Sequence, residues 1–270
     1  MLIRTLTGLA LLPLLLALLL APMWAVAAAL ALMSGVAVYE LLHRWPHPVK
    51  TRVRIMACTF VVVIYALIYT RKDLYTIAIA LFLFLLVLFA EVLIDSKGFT
   101  FFGLVGVFFA VSAIPLMFSS VARLAGRPDR LYVALIPFLI TISSDVFAFF
   151  TGKLLGKHKL APDISPHKTW EGAAGGFVCC IAVLIGYGAV ISVLGAEADY
   201  ARLALYGAAG GLISQLGDLA MSAAKRSLDI KDFGRIFPGH GGILDRFDSL
   251  LLVAPAAELL IVLLPAIHTG

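Results

Sequence analysis

The sequence predicts an all-α, polytopic integral membrane protein with about nine transmembrane helices and a cytoplasmic N-terminus. Three observations carry that prediction. Of the 270 residues, 62% are hydrophobic and only 14% are charged, whereas the apolar share of a soluble domain sits nearer half. The apolar residues fall in runs of about 20, the length a helix needs to cross a hydrocarbon core about 30 Å thick. The basic residues gather in alternate connecting segments, as cytoplasmic loops require.

The runs lie at roughly 5–21, 23–42, 53–70, 74–94, 100–119, 131–151, 172–194, 203–224 and 246–267. Arg4 ahead of a leucine-rich stretch resembles the start of a secretory leader, but the apolar region continues into the second run with almost no loop, so the first reads as a retained helix. With the N-terminus inside, 15 of the 21 Lys and Arg residues fall on the cytoplasmic side. The segment around Arg123, Arg127 and Arg130 runs against this bias, and the one carrying Glu197 and Asp199 follows it. Both strongly polar loops, 152–171 and 225–245, then face the cytoplasm and the C-terminus lies outside. The expected organisation is one integrated membrane domain, with about five N-terminal spans in 1–130 and a C-terminal region, 131–270, carrying both polar loops. A net charge of +5 is explained by cytoplasmic loops and anionic lipid, and no nucleic-acid partner is expected. Cys58, Cys179 and Cys180 lie in apolar runs without metal-ligand spacing and read as small hydrophobes, with no disulfide implied.

The chemistry concentrates in two blocks. Residues 222–248 form the one dense polar, charged and glycine-rich block of the chain, and polyphosphate with a divalent metal is the partner that best fits such a block between apolar runs. On a helix, Asp218, Ser222 and Lys225 fall at i, i+4 and i+7 and share a face. An ionisable residue on a membrane helix usually faces a wet cavity. Asp245 and Asp248, three apart, share a face at the start of the last run. Alone they read as a helix cap and a first-turn acid. Beside Pro238-Gly239-His240-Gly241-Gly242, a turn that allows close backbone approach, they read with Asp218 as oxygen ligands suited to Mg²⁺.

The earlier block is Ser165-Pro166-His167-Lys168-Thr169-Trp170-Glu171-Gly172. Ser165 as N-cap and Pro166 at the first helical position start a helix, whose opening turns would carry Lys168, Thr169 and Glu171 as an anion site. Asp145, after Ser143 and Ser144, is a further intramembrane acid expected to face the same cavity. Glu40 and Glu91 read as acids at the membrane edge, and Glu258 takes no role. Neither a phosphate-binding Gly-x-x-x-x-Gly-Lys-Ser/Thr loop, a dinucleotide Gly-x-Gly-x-x-Gly turn following a strand nor a Gly-x-Ser-x-Gly elbow is present.

Taken together, Ser222-x-x-Lys225-Arg226, Lys231-Asp232-x-Gly234, Phe237-Pro238-x-His240-Gly241-Gly242 and Asp245-Arg246-x-Asp248 resemble the signature of the phosphatidate cytidylyltransferases, the CDP-diacylglycerol synthases. Ser165-Pro166-x-Lys168-Thr169-Trp170-Glu171-Gly172 and Gly217-Asp218 match further family positions, so the resemblance covers about 145–250. Ala224 departs from it, where a larger aliphatic residue is expected. The resemblance implies condensation of CTP with phosphatidate, giving CDP-diacylglycerol and pyrophosphate for phospholipid biosynthesis. It also implies Mg²⁺, a monovalent cation such as K⁺ beside it, a homodimer and a site on the cytoplasmic face of the inner membrane. On that basis Asp218, Asp245 and Asp248 are the expected metal ligands. Lys225, Arg226, Lys231 and Arg246 are expected on the triphosphate. Ser222, His240 and Lys168 are expected on phosphates, with Ser165, Thr169, Gly241 and Gly242 lining the substrate site along with Asp145 and Glu171, and Asp145, Glu171 and Asp232 positioning the basic residues or a second cation. Another CTP-using lipid enzyme, such as a polyprenol kinase, is the alternative within enzymes, and a transporter the alternative outside them.

Overall fold

A computed structural model describes residues 17, 21–70, 73–236 and 241–268. Nearly all of the first expected span, together with Phe237, Pro238, Gly239 and His240, lies outside the described residues. The protein is all-α apart from two short ribbons. Six described helices are long and apolar enough to cross a membrane, as the expected second to seventh runs require. The chain groups into two units, 1–123 with 228–246, and 124–227 with 247–270. The 228–246 segment groups with the N-terminal helices.

The first unit holds α1 (Met23–Arg44), α2 (Thr51–Tyr69), α3 (Leu74–Ile94), α4 (Phe101–Ala125, its last two residues falling in the second unit), and α9 (Ile243–Arg246), a single turn within the second polar block. Asp73 caps α3 by accepting the Thr76 amide, the usual device for satisfying a free N–H of the first turn. Three helices are tied through buried hydroxyls: Ser34 on α1 meets the Tyr65 hydroxyl at 2.8 Å, and Tyr65 on α2 donates to the Pro115 carbonyl of α4 at 3.4 Å. Near one end of these helices Lys50 pairs with Asp95 and Arg52 with Glu91. Glu91 thus has an ion-pair partner in Arg52.

The second unit holds α5 (Arg130–Val133), α6 (Ile136–Leu155), β1 (Lys159–Ala161), β2 (Ser165–Thr169), α7 (Trp170–Val193), β3 (Glu197–Ala198), α8 (Tyr200–Ser227), α10 (Asp248–Leu263) and β4 (Ile267–His268). Gly172, Gly176 and Cys180 fall four residues apart on the buried face of α7. They bring α7 against α6 so closely that a methyl on Gly176 would lie 2.7 Å from the Ser144 carbonyl, the close backbone approach that small residues permit between membrane helices. Gly207 on α8 meets the α7 backbone at Ile181 in the same way. β3 pairs antiparallel with β4, Glu197 opposite His268.

Two expectations need correction. Residues 165–169 are not a helix start: Ser165 pairs with Ala161 and Thr169 with Lys159 in the β1–β2 ribbon. The cap is Thr169, whose side chain accepts the Gly172 amide at 3.1 Å. Asp245 and Asp248 do not share one continuous helix either, since Phe247, at φ −121° and ψ 20°, ends the turn α9 before α10 begins at Asp248. The last two expected spans also differ from the rest. α8 is a 28-residue helix interrupted by polar groups, and α10 has only 16 residues.

Candidate active site

In the second unit a cleft of about 450 Å³ opens between α6, the β1–β2 ribbon, α7 and α8. Asp145 and Lys153 of α6, His167 and Lys168 of β2, and Gln215 and Asp218 of α8 line it, together with Phe149, Leu160 and the glycines Gly152 and Gly172. It is within the size range of small-molecule sites, and its mixture of an apolar wall with a few charges is typical of them. The ribbon is what brings the first polar block to α8: Lys168 Nζ lies 2.6 Å from Asp218 Oδ2, with both side chains about a quarter exposed. Ser222 Oγ donates to Asp218 Oδ1 at 3.3 Å, so the expected i, i+4 face exists. Gln215, one turn before Asp218, donates to the Ala173 carbonyl at 2.8 Å and fixes α8 against α7. The sequence reading passed over Gln215, although an amide in an apolar helix three residues before an acid was a signal for it.

The ribbon is itself held at its base. Glu171 accepts the backbone amides of Lys157 and His158 and meets His158 Nδ1 at 2.6 Å. Glu171 is thus turned to the segment before β1, holding the two ends of the polar block together. From the end of α8, Arg226 Nε donates to the Ile164 carbonyl in the ribbon's turn at 3.4 Å. Lys225, buried, lies 3.5 Å from Asp248 Oδ2. Gly217, next to Asp218 in the chain, packs on the Asp248–Ser249 backbone, a methyl there lying 3.3 Å from Ser249 Cα.

The remaining signature residues sit in the first unit. Asp245 is buried, and its Oδ2 accepts the amides of Phe233, Gly234 and Gly242 at 2.8, 3.3 and 2.9 Å. It closes the 233–245 loop on itself. Gly241, at φ +81°, takes a conformation that favours glycine, and a side chain there would meet the Asp245 carboxylate. Lys231, Asp232 and Arg246 are exposed. His240 lies outside the described residues. A second acid the sequence reading set aside enters here: Glu40 of α1, buried, accepts the amides of Ile243 and Leu244 at 3.2 and 3.0 Å. An acid within an apolar helix was its signal.

Comparison with known proteins adds the decisive observation. A family model described as the cytidylyltransferase family matches residues 2–264. The chain belongs to the cytidylyltransferase family. It is 43% identical over 138 residues to a phosphatidate cytidylyltransferase of Staphylococcus haemolyticus, 51% of this chain and 52% of that one. It is 41% identical over 138 residues to that of Staphylococcus saprophyticus, 50% and 51% of the two chains. To that of Staphylococcus aureus strain COL it is 43% identical over 136 residues, 50% and 51% of the two chains. The chain spans about half the length of the curated relatives it matches.

Whether these residues suit a divalent ion can be asked of the second unit alone. Ser144, Ser214 and Ser249 bury hydroxyls that lack any hydrogen-bond partner, a cost of about 1–3 kcal/mol each when nothing answers them. Ser144 precedes Asp145, Ser249 follows Asp248, and Ser214 lies one helical turn before Asp218. Buried hydroxyls in want of partners thus stand next in the chain to Asp145 and Asp248 and one turn from Asp218. Asp218 and Asp248 offer hard carboxylate oxygens, and Mg²⁺ typically takes one or two of these, completing its shell with water and phosphate oxygens. Among the described residues no three His, Cys, Asp or Glu side chains gather as a ready metal cluster.

Proposed function

We propose that this cytidylyltransferase-family chain transfers the cytidylyl group of CTP to phosphatidate, leaving CDP-diacylglycerol in the membrane and releasing pyrophosphate. The observation that supports this most is the Lys168–Asp218 pair in a cleft with an apolar wall. It puts a cation of the first polar block against an acid of α8 where a lipid phosphate and a nucleotide phosphate would have to meet. The name carried by the Staphylococcus relatives points the same way.

In this reading a phosphate oxygen of phosphatidate attacks the α-phosphorus of CTP. A P–O bond forms to that oxygen, and the bond from the α-phosphorus to the bridging oxygen breaks, with its electron pair leaving on pyrophosphate. The attacking phosphate is already an anion near neutral pH, so the protein's task is to align two anions and neutralise the leaving group. Asp218 and Asp248 would hold Mg²⁺, which supplies positive charge to the phosphate oxygens when bound. Lys168 and Lys225, paired with those acids, would turn to phosphates when the substrate arrives, Lys as a point charge and Arg226 as a fork. Lys231 and Arg246 would neutralise pyrophosphate, with His240 and Asp232 as supporting contacts. Asp245, with one oxygen given to three amides, is proposed as the organiser of its loop instead of a metal ligand. Phe149 and Leu160 give the glycerol and acyl end an apolar wall. The same reading carries a homodimer, a monovalent cation beside Mg²⁺, and a site facing the cytoplasm from the inner membrane.

The test is release of pyrophosphate by purified protein in lipid nanodiscs. Release should require CTP, phosphatidate and Mg²⁺ together, with labelled CDP-diacylglycerol formed in equal amount. Release of CDP from CTP with a polyprenol, and no pyrophosphate with phosphatidate, would overturn it in favour of a kinase.

A further inference from the structure

The second polar block has more of its backbone held by side chains than its sequence suggests, and part of the hold comes from some two hundred residues earlier. Glu40 and Arg44 are four apart on α1 and so share a face. Glu40 spends one carboxylate oxygen on the Ile243 amide and the other on the Leu244 amide. Arg44 Nε donates to the Phe233 carbonyl at 3.3 Å, on the far side of the same loop. Between them Asp245 gathers the amides of Phe233, Gly234 and Gly242. The Glu40 carboxylate also fills the space over two glycines: a methyl on Gly234 or Gly242 would collide with it, and at Gly242 the three atoms nearest such a methyl all belong to Glu40. Both glycines are therefore fitted to an acid on another helix.

We propose that Glu40 is a positioning residue for the reaction, fixing the backbone that presents Lys231, Asp232 and Arg246. This rests on the cytidylyl-transfer reading for its kinetic consequence, while the clamp itself stands on geometry. Glu40 touches backbone amides and not substrate, so it acts through the loop. Carboxylate capture of two adjacent amides is strong because the acceptor is charged. Glutamine at this position keeps the size but offers one acceptor oxygen, and its NH₂ faces a donor.

The experiment uses the full chain in nanodiscs. Hydrogen–deuterium exchange across 241–248 is compared between wild type, Glu40→Ala and Glu40→Gln, and the KM for CTP and for phosphatidate is measured for each. Exchange at the Ile243 and Leu244 amides should quicken in both variants, and kcat/KM for CTP should fall about 10- to 100-fold, the usual loss when a supporting contact is removed, with the phosphatidate KM little changed. Gly242→Ala should lose activity on its own, yet adding it to Glu40→Ala should cost less than the product of the two losses, because the group nearest the new methyl is gone. Unchanged exchange in Glu40→Gln overturns the clamp. Faster exchange with unchanged CTP kinetics, or a Gly242→Ala loss that multiplies fully with that of Glu40→Ala, overturns the positioning role. Should wild type fail to turn over CTP and phosphatidate, the exchange comparison still decides the clamp, and it is the functional reading that falls.

Discussion

Asp218 and Asp248 each face a lysine, whereas Asp245 is held by amides, and in the proposed function that difference separates ligands from scaffold at the level of single residues. Asp218→Asn and Asp248→Asn each remove a charged oxygen donor, so turnover should fall by orders of magnitude and the Mg²⁺ concentration for half-maximal rate should rise. Asp245→Asn should also lose activity, through its loop, but without moving the Mg²⁺ requirement. A Mg²⁺ titration of the three variants checks this, and an equal rightward shift in all three would return Asp245 to the ligand set. A second expectation concerns Lys225, buried beside Asp248. Lys225→Ala should raise the CTP KM well above that of phosphatidate, and Arg226→Lys should not restore a fork where one is needed. The Asp218–Ser222 face was legible in the sequence because helical spacing alone sets it. The capture of Asp245 was not, because backbone amides of a loop leave no residue-type signal, and the same holds for Glu40, whose partners are main-chain groups two hundred positions away.

Elements decide where the first polar block lies. Ser165-Pro166 suits the opening of a helix, yet the segment is a strand, because residues 159–161 offer it a backbone partner and Pro166, lacking an N–H, is tolerated in an edge strand. The helix waits for Thr169, which can accept from Gly172. Replacing it tests that order: Thr169→Ala should cost about 1 kcal/mol and loosen the ribbon that carries Lys168, which would be seen as a lower Tm and a higher KM for substrate. The α6–α7 contact makes a sharper case. A methyl at Gly176 would sit 2.7 Å from a backbone carbonyl, while one at Gly35 on α1 meets nothing within 4 Å. Gly176→Ala should therefore destabilise by about 1–3 kcal/mol through overpacking, and Gly35→Ala should leave Tm unchanged or raise it, since alanine favours the helix. Equal Tm changes in the two variants would refute the close approach. Small residues every fourth position were visible in the sequence, but which helix they met was not, since spacing fixes a face and not its neighbour.

For the whole molecule, apolar run length matches the described crossing helices up to α7, whereas the eighth and ninth expected runs fall on α8 and α10, which lack the uniform hydropathy or the length of the others. α8 is long enough, at about 1.5 Å per residue, for its 28 residues to cross a core about 30 Å thick, but it carries Ser214, Gln215, Asp218 and Ser222, the groups of the proposed site. A helix that lines a polar cleft loses the uniform hydropathy by which a span is recognised. Topology can be tested without assuming which side the N-terminus occupies. Lys157 and Glu197 are separated by a single helix long and apolar enough to cross, α7 (Trp170–Val193), so the expected outcome is that they lie on opposite sides, with Lys157 inside by the bias of basic residues. In a background with Cys58, Cys179 and Cys180 replaced by alanine, Lys157→Cys should resist an impermeant thiol reagent in intact cells and react in inverted vesicles, with Glu197→Cys doing the reverse. Arg235→Cys then reports on α8: if the helix crosses, position 235 labels with position 157, and both polar blocks have access to cytoplasmic CTP. Labelling of Arg235→Cys together with Glu197→Cys would mean that α8 turns back within the membrane, and that the two blocks of the signature cannot serve one cytoplasmic nucleotide.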